Sequence, residues 1–285
     1  MSPSNLSKKS GELTMTRAGV YLYAFAAVAA GVMDFIWGDF DSAHQPIQAF
    51  GDHIPGLAIL AYIIAVWMIA GGVAILWRRS ARAGAAALAG IYFVFSVFWL
   101  PRFYTAPHYL GFHASVYIGV LAGIGTQLIA AAAGTLIYAS LTAQSPAWPR
   151  TILICRWIFG ICSIGFGLGH LTYIQQNTVY VPKWMPLGGE FWTIVTGICF
   201  ILAGLAILSG IQDVLAARLL ALMFFVFNLV ALPQFILANP HRHSAWGGNA
   251  YNLAAVASAW ILADSLAARH VLQERRGEVS AAEGS

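Results

Sequence analysis

The stretch that decides the fold runs from Gly165 to Leu208, GFGLGHLTYIQQNTVYVPKWMPLGGEFWTIVTGICFILAGLAIL. An apolar segment ends at a histidine, His170, and a polar, aromatic loop with Pro182 and Pro186 follows. A second apolar segment then carries Gly197, Ala203 and Gly204. Taken whole, each apolar segment is about 20 residues, enough for a helix to cross roughly 30 Å of hydrocarbon. Lipid offers no partner to an unpaired backbone N–H or C=O, so such spans are helices. Small residues at close spacing let two of them pack tightly.

Working outward, the whole chain has this character. It is 59% hydrophobic and only 9% charged, with mean hydropathy +0.72. Soluble domains are about 25% charged, so the composition is that of a membrane protein. Eight apolar segments lie near 18–38, 56–77, 83–101, 115–140, 151–173, 191–210, 214–236 and 248–268. The expected fold is all-α and polytopic: eight transmembrane helices arranged as two repeated four-helix bundles. Residues 1–16 and 271–285 are expected to be disordered cytoplasmic tails. The first segment has a counterpart in the second half, so it is read as a span rather than a cleaved signal peptide.

Charge placement orients the chain. With the N-terminus in the cytoplasm, only Arg102, Lys183 and Arg242 of the 15 Lys and Arg fall outside. The positive-inside rule then places both termini in the cytoplasm. Histidines show the opposite bias: all but His270 lie at or near the outer side, with Asp34, Asp39, Asp41, Asp52 and Glu190. Cys155, Cys162 and Cys199 sit inside apolar segments without a C-x-x-C pair, which argues against a dithiol centre.

The halves match each other. Ala65–Leu76 (AVWMIAGGVAIL) aligns with Gly197–Leu208 (GICFILAGLAIL) at an offset of 132. The same offset aligns Phe93–Phe103 with Phe225–Phe235, pairing Pro101 with Pro233 and Ser96 with Asn228. In the first span of each half, Gly31-x-x-Asp34-x-x-Trp37 matches Gly167-x-x-His170-x-x-Tyr173. The repeats are read as residues 17–145 and 146–270. Each has an even number of spans, so they share an orientation and are related by an axis along the membrane normal.

The second half resembles the DoxX-like membrane proteins. The resemblance is carried by Gly167-Leu168-Gly169-His170, Val181-Pro182-Lys183-Trp184-Met185-Pro186, Phe191-Trp192, Thr196-Gly197 and Ala203-Gly204-Leu205. It covers about residues 160–236 and, in outline, the first half. It implies four-helix bundles in a bacterial inner membrane, in a family that includes membrane subunits associated with quinone-linked sulfur oxidation.

Ionisable residues in membrane spans usually face protein or water and mark function. His170 and Asp34 are therefore the candidate catalytic residues. His170 is read either as a proton-exchanging group, suited by its pKa, or as a histidine bonding the next loop. Asp34 has Arg102 as its expected partner, in a structural ion pair or a site that could be shared with His170. Tyr173, Trp184, Trp192, Trp37, Arg102 and Asn228 are candidate ligand-binding residues. Trp184 and Trp192 flank Pro186 and either line a slot for a flat quinone ring or belong to an interfacial aromatic belt. For Asn228 an interhelical hydrogen bond is the favoured reading beside the ligand contact. His108, His113, His241 and His243 form a candidate metal set of imidazole ligands, or are solvated loop histidines.

No nucleotide-binding loop or hydrolase elbow is present, and no nucleic-acid partner is expected. The leading expectation is an inner-membrane protein that binds a quinone-like ligand and supports redox chemistry at the outer face. Its expected partners are the lipid bilayer and a periplasmic or membrane redox protein. The alternatives are a transporter with a permeation path between the halves, an outer-face metal site, and a non-catalytic scaffold.

Overall fold

A computed structural model describes residues 17–41, 44, 56–142 and 148–283, with side chains 275–276 and 279–283 excepted. The 1–16 tail, Asp52 and His53 lie outside the described residues. Among the described residues the structure is all helical, and eight helices are long and apolar enough to cross a membrane. In chain order the helices are α1 (Arg17–Trp37), α2 (Leu57–Ile75), α3 (Ala81–Phe98), α4 (Arg102–Leu110), α5 (Ala114–Ser140), α6 (Trp148–Thr172), α7 (Ile174–Thr178), α8 (Gly188–Ser209), α9 (Asp213–Val226), α10 (Pro233–Ala238) and α11 (His243–Glu283). A π-helical turn, Phe227–Ala231, joins α9 to α10.

The spanning helices form a closed ring. α1, α2, α3 and α5 pack in succession, as do α6, α8, α9 and α11; α5 meets α6, and α11 returns to α1. α5 also packs against α11 across the centre. Accordingly 67% and 78% of these two spans is buried, against 28–44% for the other six. Their sequences explain the position. Ala130–Ala133 on α5, and Ala254, Ala255, Ala257 and Ala259 on α11, are all buried. Such small side chains allow close backbone approach where lipid supplies little hydrophobic drive between helices. The outer helices present bulky residues outward, among them Phe25, Ile59, Trp67, Phe93, Ile161 and Leu202.

The repeat is visible as packing. A methyl group on Gly31 would lie 2.7 Å from Ala65 O and 2.9 Å from Ile69 Cγ1. One on Gly167 would lie 2.5 Å from Gly197 O and from Ile201 Cγ1, the same positions in the second half. A methyl group on Gly72 would lie 2.7 Å from Ala24 O, and one on Gly204 would lie 2.7 Å from Gly160 O. These crossings admit no side chain.

The two prolines change helices differently. Proline lacks an N–H and clashes with the preceding turn. Before Pro101 the helix ends, and the short helix α4 starts afresh in a stretch read from sequence as loop. Before Pro233 the helix widens instead, with Leu232 N–H donating to Phe227 O five residues back. The last helix also departs from expectation. It continues to Glu283, through most of 271–285, because VLQERRGEVSAAE is rich in strong helix formers.

The end carrying most arginines is tied by ion pairs. Arg218 donates to Asp264 and lies over the Trp260 ring, 4.6 Å from its centroid. Asp213 receives His270 Nε2 at 2.8 Å and has Arg156 Nη1 at 3.9 Å.

Candidate functional site

Asp34 lies in the last turns of α1 and is 1% exposed. An isolated buried carboxylate is costly, so its partners matter. Its Oδ1 accepts the Asp41 backbone N–H at 3.1 Å and lies 3.2 Å from His243 Nε2. Its Oδ2 lies 3.6 Å from His44 Nδ1. That last separation is an ion-pair distance, too long for a good hydrogen bond. Both atoms keep hydrogen-bonding capacity for an incoming group.

Four elements build this cluster. α1 supplies Asp34. The segment after it supplies Asp41 and His44, whose N–H donates to Asp41 O at 2.8 Å. α3 supplies Phe95, which stacks on the His44 ring at 4.3 Å and 17°, and Tyr92, edge-on at 6.3 Å. α11 supplies His243 as its first residue and Gly247, whose missing side chain makes room for the Asp41 carboxylate. A helix N-terminus is electropositive, which favours carboxylates there. Trp37 completes the wall: its ring stacks on His243 at 5.0 Å and 4°, and its Nε1–H donates to His241 O at 3.4 Å.

His44 is buried, and burial alone would lower its pKa. The Asp34 carboxylate, aided by the Asp41 charge, outweighs this and holds it above the ordinary 6.5. The cluster can therefore hold a protonated imidazole beside a carboxylate at the end of a membrane bundle.

His170 occupies the corresponding place in the second half and is built differently. Its Nδ1–H donates to Phe166 O at 3.0 Å, within its own helix. Its ring lies 5.1 Å from Phe200 and stacks on Phe227 at 6.1 Å and 19°. Phe227 is the repeat counterpart of Phe95. The π turn that begins at Phe227 also carries Asn228, whose Oδ1 accepts Asn252 Nδ2–H at 3.0 Å.

The remaining sequence candidates divide. Trp37 joins the Asp34 cluster. Asn228 makes the interhelical bond just described. Asp34 is partnered by histidines rather than by Arg102, which is buried with its guanidinium 3.7 Å above Trp99. Burial lowers the Arg102 pKa to about 10. Asp34 and His170 have separate neighbours and do not form one site. Tyr173 lies 3.4 Å from where a Gly119 side chain would begin, Trp192 Nε1–H donates to Pro186 O at 2.8 Å, and Trp184 is 73% exposed.

Among the described residues no group of three or more His, Cys, Asp or Glu side chains has metal-holding geometry. The four histidines of the candidate set go separate ways. His243 is on Asp34, and His108 bonds Tyr104 O at 2.6 Å. His113 precedes α5, and His241 offers its carbonyl to Trp37.

Sequence reasoning missed His44. The available signal was a histidine in the short segment after Asp39 and Asp41, immediately following a span that ends in an aspartate.

An apolar groove of about 670 Å³ runs between α2 and α3, lined by Tyr62, Val66, Trp67, Gly71, Gly84 and Ala87 among others. At its head, Tyr62 packs on Phe35 at 5.2 Å and its hydroxyl abuts Gly38, next to the turn that follows Asp34.

Comparison with family models, with curated proteins and with solved structures finds no match.

Proposed function

We propose that this is a multi-pass protein of the bacterial inner membrane, both termini cytoplasmic, that binds a quinone-like lipophilic molecule and exchanges protons with it at the outer face. The observation that carries this reading is the buried cluster of Asp34, His44 and His243, walled by Trp37, Phe95 and Tyr92. Reduction of a quinone takes up two electrons and two protons. In this reading a periplasmic or membrane redox partner delivers the electrons, and the cluster delivers protons from the His44–Asp34 pair. Intramembrane carboxylate and imidazole groups serve in proton relays generally. The groove between α2 and α3 supports the lipophilic half of the proposal: it suits an isoprenoid tail, with Tyr62 leading toward the cluster.

The test is titration of nanodisc-embedded protein with a short-chain ubiquinone, read by quenching of tryptophan fluorescence. Asp34→Asn and His243→Gln should weaken binding at least about tenfold, the loss of one hydrogen bond to a charged group. His170→Phe should bind as wild type does. Equal affinity in all four proteins would end the assignment.

A second reading, a permeation path between the halves, is favoured by polar groups on the central pair of helices. Tyr251 O–H on α11 donates to Thr126 Oγ1 on α5 at 2.8 Å, and Gln127 and Asn252 are buried nearby in sequence. It predicts proton flux in liposomes loaded with a pH-sensitive dye; flux equal to that of protein-free liposomes would discard it.

A further inference from the structure

We propose that a cleft at the arginine-rich end, several turns along α11 from His243, binds the headgroup of an anionic phospholipid. The cleft, about 210 Å³, lies between the start of α6 and the later turns of α11. Arg150, Ile152 and Leu153 line it from one side, and Arg269, Leu272 and Gln273 from the other.

Three observations point to an anion. First, neither Arg150 nor Arg269 has an acidic partner among the described residues, although the other ion pairs at this end are made. Asp213 is engaged by His270 and by Arg156, and Glu274 is exposed. Second, Arg156 lies near enough to Arg269 for the two charges to repel, so a bound anion would relieve a like-charge contact. Third, Arg150 sits in the first turn of the 25-residue helix α6, where unpaired N–H groups and the helix dipole add positive potential.

A further observation selects a lipid over a free anion. Ile154, Trp157 and Ile161 follow Arg150 at helical spacing on one face of α6, and all are at least half exposed. An acyl chain can lie along this stripe while its phosphate stays between the arginines. Basic pockets at this membrane level bind acidic headgroups.

The experiment is native mass spectrometry of the full chain in detergent with phosphatidylglycerol or phosphatidylcholine. Wild type should retain phosphatidylglycerol about thirtyfold better, the effect of two arginines at a charged surface. R150Q/R269Q should fall to the phosphatidylcholine level, and R78Q/R79Q, which removes two exposed arginines at the same end, should retain the preference. Millimolar inorganic phosphate should leave the lipid bound. Equal retention of both lipids by wild type, equal loss in R78Q/R79Q, or displacement by phosphate would each overturn the proposal. If the double variant does not fold, Arg150→Gln alone, at an exposed position, carries the test: an unchanged preference refutes the site.

Discussion

The two halves of this chain place an imidazole over the same phenylalanine by different routes. In the first half, Phe95 is stacked by His44, a residue outside the spans, while the span itself contributes Asp34. In the second half, Phe227 is stacked by His170, carried on the span at the position of Asp34. The ring slot belongs to the repeated scaffold. What differs is charge. His170 satisfies its Nδ1–H within its own helix, whereas Asp34 must draw in two histidines from elsewhere in the chain. One substitution in the repeat thus separates a self-contained imidazole from a charged cluster that joins the first and last spans.

The largest effect that would break this contrast is on stability. Asp34→Ala leaves two histidines without their carboxylate and should cost about 3–5 kcal/mol in chemical unfolding, as for a broken buried pair. His170→Phe leaves no charge unpaired but enlarges the ring, and should cost about 1–2 kcal/mol, the lower part of the range for added volume. Similar costs for both would mean that the two sites are equivalent after all.

The next effect probes what the halves share. Gly31→Ala and Gly167→Ala should each destabilise by about 1–3 kcal/mol, because the added methyl meets backbone. Gly90→Ala and Gly165→Ala face open space inside helices and should not destabilise, gaining up to about 1 kcal/mol from helix propensity. Tolerance at Gly31 alone would show that the first half is packed more loosely.

The third distinguishes the halves by pH. His44 is held above its ordinary 6.5 despite burial, because Asp34 is beside it. A raised pKa contributes stability that is full below the unfolded value and is lost as pH rises through the folded one. The melting temperature in detergent should therefore fall as pH increases from 6.5 upward. His44→Phe should remove that slope, and His170→Phe should leave it.

The smallest effect concerns Asn228. Asn228→Leu should cost about 1 kcal/mol or less, the usual size of an interhelical amide bond. Among the described residues the hydroxyl of its counterpart Ser96 bonds only Phe93 O in its own helix, so Ser96→Ala should cost less still.

The spans were legible in the sequence because hydrocarbon imposes one length and one hydrogen-bonding solution on every crossing segment. The glycine crossings were legible as well, since a position that admits no side chain leaves a recurrent mark, as at Gly72 and Gly204. Asp34 stood out as a carboxylate in an apolar run. Its partners did not. Arg102 was the nearest cation by position in the repeat, but ring closure brings α11 against α1 and puts His243 there instead. Linear order carries no signal for that contact. The π turn was hidden for another reason. Pro101 and Pro233 read alike, and whether a helix stops or widens before proline depends on the surrounding packing.

The closed ring has a consequence for how such a site can arise. The α1–α11 and α5–α6 seams are equivalent, as in a symmetric dimer of four-helix subunits. In such a dimer any residue acquired at one seam is imposed on the other, so two charged clusters would have to be accommodated or none. Fusing the copies into one polypeptide removes that coupling. One seam can then hold Asp34 with His243, while the other settles into Tyr173 against Gly119. Covalent linkage thus lets a duplicated scaffold divide labour between its two copies.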